Sequence, residues 1–363
     1  MPRHYLDHAS TSPLRPEAFA AMRPWFLEAA DAGRVHTEGH AARVAIGIAR
    51  EQVASLLGCR GSREVVFTSG ATESIVTATW MATERTAHVV LPAVEHSAVR
   101  LASEQHGMPT VVPVDPFGRV DPDELLAEVR PGETGLVHVQ LGNHEVGTMQ
   151  PVREIVAGCR ERGVLVHVDA AMAVGHVPIS FTDLDSDLLS VSSHKFGGPP
   201  GVGALLIRRG LRLRPLLVGG DQERARRAGF ENVPAIVGFG AACAAVDPSS
   251  SEERRLMQRV IDHIGLQVLG SPDLPHLACF AIEGVEAEPV LLGLDQAGVA
   301  VHSGSSCSSE ALEPSPVLEA MGVDASRSLR VSVGWSSDDA DVDALLGALP
   351  GVLDRLRSLR RST

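Results

Sequence analysis

The sequence has almost no lysine. Its 32 basic side chains comprise 31 arginines and a single lysine, Lys195, where on the order of twenty lysines are ordinary at this length. An arginine-rich coding habit explains the general depletion, because a guanidinium carries surface charge as well as an ammonium does. It does not explain the survivor. Arginine stays protonated and forms no Schiff base, so a lysine needed for that bond has no substitute. Excess positive charge is also missing: 45 acidic side chains bring the net charge to −13, which excludes a sequence-independent nucleic-acid surface. The one basic stretch, Arg208 to Arg227 with seven arginines, reads as an interface or a substrate-facing patch. No apolar run reaches the roughly eighteen residues that a membrane helix needs. The opening Met-Pro-Arg-His-Tyr-Leu-Asp lacks the basic-then-apolar pattern of a signal peptide. The five cysteines (Cys59, Cys159, Cys243, Cys279 and Cys307) are odd in number and without CxxC spacing, which argues against a disulfide scaffold or a zinc site. The expectation is a cytoplasmic protein with no metal, no direct nucleic-acid partner and no membrane partner.

What is present fits a globular chain, 44% hydrophobic and 21% charged. At 363 residues it is long for one core, so two domains are expected. Short β-branched runs alternate with helix-like segments between residues 60 and 210, the pattern of an α/β fold with a mostly parallel sheet. The expected strands are 64–67, 88–91, 110–114, 136–140, 165–168, 188–191 and 203–207, with amphipathic helices over 121–129 and 152–162. The polar run Asp247-Pro-Ser-Ser-Ser-Glu-Glu marks a boundary. Beyond it come a strand over 277–282, a helix over 289–297 and a terminal helix from Ala340. No internal repeat or low-complexity tract is present.

Ligands of open α/β sheets bind beyond the carboxyl ends of the strands, and the residues there form a set. Thr68-Ser-Gly-Ala71-Thr72-Glu-Ser is a small-residue turn opening a helix, whose free amides and Thr72 hydroxyl suit a phosphate. It would also serve as a plain turn and cap. Glu95-His96 follows the next strand; alone, such a histidine is more often structural than catalytic. Asp169 closes an apolar strand and needs a cation, a role that a pyridinium nitrogen fills. The run Ser190-Val-Ser192-Ser-His194-Lys195 places the unique lysine just past a strand. Together an anion cradle, a ring-stacking histidine, a carboxylate and a Schiff-base lysine point to pyridoxal 5'-phosphate. Further on, Cys307 lies among serines in Ser303-Gly-Ser-Ser-Cys307-Ser-Ser-Glu, the company of an exposed, reactive thiol on a mobile loop. Arg330 in Ser328-Leu-Arg-Val-Ser sits on an alternating strand, where it can fork a carboxylate or form an ion pair.

With these residues the chain resembles the cysteine desulfurases of the NifS/IscS type, class-V aminotransferases in the fold-type I (aspartate aminotransferase-like) group of pyridoxal phosphate enzymes. The resemblance runs nearly end to end, from Tyr5-Leu-Asp-His-Ala-Ser-Thr-Ser-Pro through Ser69-Gly-Ala-Thr-Glu-Ser74, Glu95-His96, Asp169-Ala-Ala, Ser192-Ser-His-Lys195 and Ser303-Gly-Ser-Ser-Cys307 to Leu312-Glu-Pro-Ser and the Arg330 strand. It implies a large cofactor-binding domain over 15–246 and a smaller α+β domain, 1–14 with 247–363, carrying the cysteine loop. It implies that Lys195 holds the cofactor and shuttles protons, that His96 stacks on its ring and that Asp169 keeps its nitrogen protonated. Ala71, Thr72, Ser192 and His194 would hold the phosphate, and Arg330 the carboxylate of L-cysteine. Cys307 would take the sulfur as a persulfide, releasing alanine, for delivery to a sulfur-acceptor protein. The family implies a homodimer.

Three positions depart from the family pattern. His144 replaces the second asparagine of Asn-Asn-Glu and Met172 the glutamine of Asp-Ala-Ala-Gln; those two residues usually contact the cofactor's phenolic oxygen. Histidine can donate a hydrogen bond there and methionine cannot. Phe230 replaces a threonine that typically reaches the phosphate of the neighbouring subunit, a contact phenylalanine does not make. Two alternatives stand beside the main reading. One is a selenocysteine lyase or other C–S lyase using the same cofactor, and the other is a sulfur-relay scaffold that has lost catalysis.

Overall fold

The computed structural model describes residues 3–84, 86–212, 214–303 and 315–361. Its strands are β1 His4–Tyr5, β2 Val65–Thr68, β3 His88–Pro92, β4 Met108–Val112, β5 Thr134–Gln140, β6 Leu165–Asp169, β7 Leu188–Ser192, β8 Gly203–Ile207, β9 Gln267–Leu269, β10 Leu277–Ala281, β11 Val299–Ala300 and β12 Ser328–Ser332. Seven of them form one sheet in the order β2-β8-β7-β6-β5-β3-β4. From β7 to β4 every pairing is parallel, and only β8 runs against its neighbours β7 and β2. A mostly parallel sheet has both faces covered, and its strands are accordingly near-continuous apolar runs. β3, β7 and β8 are buried at every position.

The expected strands are all present, with two shifts. Glu64 belongs to a 3-10 turn, Ser62–Glu64, so the first strand begins at Val65. The third is Met108–Val112, two residues earlier than expected, and carries Pro109. It lies at the sheet edge, where a missing N–H costs no ladder bond. The helices are Pro122–Ala127, capped by the Asp121 carboxylate, and Val152–Glu161. The first is shorter than its periodicity suggests.

Residues beyond 250 build a separate apolar cluster, with Leu256, Phe280, Val290, Leu329 and Leu345 all fully buried. Leu6 from the N-terminal segment joins it. The antiparallel sheet β12-β10-β9, the helix Ala287–Gln296 and the terminal helix Asp339–Arg361 frame this cluster. The N-terminal strand β1 pairs in parallel with β11, so the first residues of the chain are held by the last third of it. No described helix is long and apolar enough to cross a membrane.

Four of the seven arginines in the arginine-rich stretch are held by partners within the chain. Arg208 pairs with Asp187, Arg214 with Glu84 and Arg227 with Glu73, while Arg226 donates to the carbonyls of Arg63 and Val65. Cys159, Cys243 and Cys279 are buried free thiols, and Cys59 is half-buried.

Candidate active site

A cavity of about 460 Å³ opens at the carboxyl ends of the central strands. Ala71, Thr72, His96, His144, Asp169, Met172, Ser192, His194, Lys195 and Arg330 all line it. The sequence places these residues up to 259 positions apart; all but Arg330 follow or end strands of the large sheet, and Arg330 reaches the cavity from the middle of β12 in the smaller sheet. Cys307 lies outside the described residues. The described residues on either side of that segment are tied to the site: His302 pairs with the backbone of Arg330, and Ser315 Oγ donates to Glu145 Oε2 at 2.5 Å.

The cavity's first wall is the start of helix Ala71–Ala82, which follows β2 through Gly70 and has no side-chain cap. Its first amides therefore point outward without an internal acceptor, the arrangement that attracts an anion. Gly203 of β8 approaches so closely that a Cβ on it would lie 2.7 Å from the Gly70 Cα. Glycine is required there to let the helix start meet the sheet. Ser192, ending β7, is buried beside it.

Asp169 ends β6 and is 8% exposed. Its Oδ1 accepts hydrogen bonds from Ser190 Oγ at 2.8 Å and the Ala171 amide at 3.1 Å. These fix the carboxylate at the cavity floor. Close by, Glu95 is 2% exposed; its Oε1 accepts the Gln140 amide at 2.7 Å, and its Oε2 has no partner among the described residues. Burial, aided by the charge of Asp169, pushes the Glu95 carboxyl up to about 8, so it is mostly protonated near neutrality.

His96 caps the helix Ser97–His106: its Nδ1 accepts the Ala98 amide at 3.1 Å. The neutral ring then carries its proton on Nε2. His144 stands edge-on to it, with 5.0 Å between ring centroids and 66° between planes. Met172 is 5% exposed.

Lys195 follows β7 in the turn Ser193–Phe196. Its Nζ donates to the carbonyl oxygens of Ala9 at 2.7 Å and Ser10 at 3.0 Å. Neighbouring His194 holds Thr11 Oγ1 at 3.1 Å. Burial, with the Lys195 charge beside it, lowers the His194 pKa to about 4. Arg330, on β12, is 1% exposed. Its Nη2 donates to Asp7 Oδ1 at 2.9 Å and its Nη1 to the His144 carbonyl at 3.0 Å. Its Nε is buried without a partner among the described residues. Asp7 joins the site from the Tyr5-Leu-Asp-His run, where nothing in the sequence marks it as a site residue. An aspartate two positions beyond a two-residue strand carries no local signal of an arginine more than three hundred residues away.

A compact pyridine ring bearing a phosphate fits this donor set. The uncapped helix start suits the anion, Asp169 a ring cation, and the amine of Lys195 an aldehyde carbon.

The geometry is that of a fold-type I enzyme, and comparison with known proteins agrees. The Aminotransferase class-V family model matches residues 4–345. A cysteine desulfurase from Gluconacetobacter diazotrophicus is 40% identical, covering 98% of this chain and 94% of its own. Cysteine desulfurase IscS 1 of Archaeoglobus fulgidus is 38% identical, covering 98% of both. Among solved structures, a NifS-like protein superposes with a TM-score of 0.89 at 30% identity, over 98% of this chain and all of that one. The cysteine desulfurase CsdA of Escherichia coli gives 0.84 at 26%, over 97% and 95%. The chain belongs to the class-V aminotransferases, and within them to the cysteine desulfurases of the NifS/IscS type.

Proposed function

We propose that this chain is a pyridoxal phosphate-dependent cysteine desulfurase that converts L-cysteine to L-alanine and passes the sulfur on as a Cys307 persulfide. The observation that carries the reading is the convergence on one cavity of the only lysine, Asp169, His96 and Arg330. A relative solved in complex with cysteine, SspA, superposes with a TM-score of 0.81 at 28% identity, over 92% of this chain and all of that one, which supports cysteine as the substrate.

When bound, the cofactor supplies an electron sink for the substrate's Cα electrons. Lys195 would hold it covalently through Nζ, and the same amine would move the substrate's Cα proton. Asp169, fixed by Ser190 and Ala171, would hold the proton of the ring nitrogen. The amides of Ala71 and Thr72, with Ser192 and His194, would bind the phosphate. His96 would stack on the ring. Arg330 orients the substrate carboxylate. The Cys307 thiol attacks the substrate sulfur, so that an S–S bond forms as the C–S bond breaks. The carbon left behind takes up a proton and departs as alanine.

Residues 15–246 form the proposed cofactor-binding domain, and residues 1–14 with 247–363 the smaller one. A homodimer is proposed as well. Val44 and Ile48 on one helix and Phe230, all exposed, offer apolar surface that a second copy would cover. The proposed recipient of the sulfur is an acceptor protein.

The test is alanine and sulfide release from L-cysteine. Wild type should release both; Lys195→Ala should release neither, and Cys307→Ser should lose sulfur transfer. Alanine formation undiminished in Cys307→Ser would remove the persulfide step.

A further inference from the structure

A buried histidine cluster lies behind the lysine loop, outside the cavity. His176, in the turn after β6, stands between two oxygens. Its Nδ1 is 2.8 Å from Glu253 Oε2, and its Nε2 is 3.4 Å from the Lys195 carbonyl, a long contact. A carboxylate and a carbonyl are both acceptors only, so an imidazole serving both donates from both nitrogens. Glu253 supplies the balancing charge from helix Glu252–His263. His276 covers the ring face, 3.5 Å between centroids and 9° between planes. Burial drives the pKa of His276 well below its usual value. His8 closes the cluster: its Nδ1 lies 2.9 Å from Ser12 Oγ, which itself donates to the Lys195 carbonyl at 3.0 Å. Arg15 holds the next carbonyl, that of Phe196, at 2.9 Å.

His176, Glu253 and His276 also bring ligand atoms within 4.8 Å of one another, the donor types of a zinc site. Parallel rings at 3.5 Å do not both aim their lone pairs at one ion, however, and the charges of Lys195 and Arg330 bear on the same spot. The geometry favours hydrogen bonding over chelation.

We infer that His176 is a positioning residue. Held by Glu253 and backed by His276, it fixes the Lys195 carbonyl and thereby the reach of Lys195 Nζ into the cavity. Its importance for turnover rests on the proposed role of Lys195, but its geometry does not.

The single lysine makes the test direct. An amine-selective acylating reagent, applied to the full cofactor-free chain and followed by peptide mapping, reads the Lys195 ε-amine apart from the α-amine. His176→Gln and Glu253→Gln should each speed Lys195 acylation about tenfold, the scale of a lost hydrogen bond to a charged group, with far-ultraviolet dichroism unchanged. His276→Phe keeps a flat ring and should stay within about twofold of wild type. Rates within about twofold of wild type for both His176→Gln and Glu253→Gln overturn the inference. Should those two variants fail to fold, nitrogen-15 NMR of the wild-type chain decides: a protonated His176 Nε2 supports it, and a bare Nε2 overturns it. One zinc ion per purified chain, lost in His276→Phe, also overturns it, in favour of a metal site. None of these readings uses desulfurase activity, so this inference and the proposed function fail separately.

Discussion

Arg330 is bound to Asp7 across 323 residues of chain, Nη2 to Oδ1 at 2.9 Å, with the guanidinium 1% exposed. A substrate carboxylate reaching Arg330 therefore meets a carboxylate already there. Asp7→Asn removes the competing charge while keeping the shape. It should destabilise the substrate-free protein by about 3 kcal/mol, because a buried cation loses its partner. It should also lower KM for L-cysteine. Urea unfolding and initial-rate kinetics check the two signs; a raised KM would show that Asp7 aids binding.

Lys195→Arg should leave a folded, colourless and inactive protein. Arginine keeps the positive charge but offers no amine to an aldehyde. The visible absorption of the purified protein reads this directly.

Met172 and His144 line the cavity where related enzymes carry amides. Met172→Gln adds a donor and an acceptor at a buried position. The visible spectrum of the variant, titrated across pH, should be displaced from that of wild type. Superimposable titrations would show that the methionine is electronically silent.

Three consecutive residues, Glu223, Arg224 and Ala225, have positive φ angles of 48°, 60° and 59°. Each costs a non-glycine residue roughly 1 kcal/mol. The segment is pinned by Glu223, whose carboxylate takes two hydrogen bonds from buried Arg50, at 2.6 and 2.7 Å, and one from the Phe67 amide at 2.9 Å. Ala225→Gly should raise stability by about 1 kcal/mol, seen as a later urea midpoint. An earlier midpoint would mean that the gain in unfolded-chain entropy outweighs the strain.

His138 and His167 face each other across β5 and β6, with Nδ1 to Nδ1 at 2.9 Å. Burial lowers His138 to about 3 and His167 well below its usual value. The unfolded chain, titrating near ~6.5, then binds protons that the folded chain refuses. Stability is level above that pH and falls as the pH drops below it, by up to about 1.4 kcal/mol per pH unit for each histidine. A His138→Asn/His167→Asn double variant should show a shallower acid limb in thermal melts between about pH 6.5 and 4.

The sheet was readable because parallel strands are buried on both faces and so appear as continuous β-branched runs, as Leu188–Ser192 does. Edge strand Met108–Val112 was misplaced because proline reads as a break, although an edge tolerates it. The cofactor-side residues were readable because each follows its strand within a few positions. Asp7, His176, Glu253 and His276 were not. Glu253 is hidden in a polar run and the others stand singly in sequence, and only packing between distant segments brings each to its neighbour.

That packing has a consequence for how the protein matures. Asp7, Ala9 and Ser10 are made well before Arg330 and strand β11, which holds β1. During synthesis the central sheet can assemble around Asp169 and Lys195 while one wall of the cavity is still inside the ribosome. Closure of the cavity therefore waits for Arg330, and a chain cut before β12 would leave a folded sheet with that wall missing.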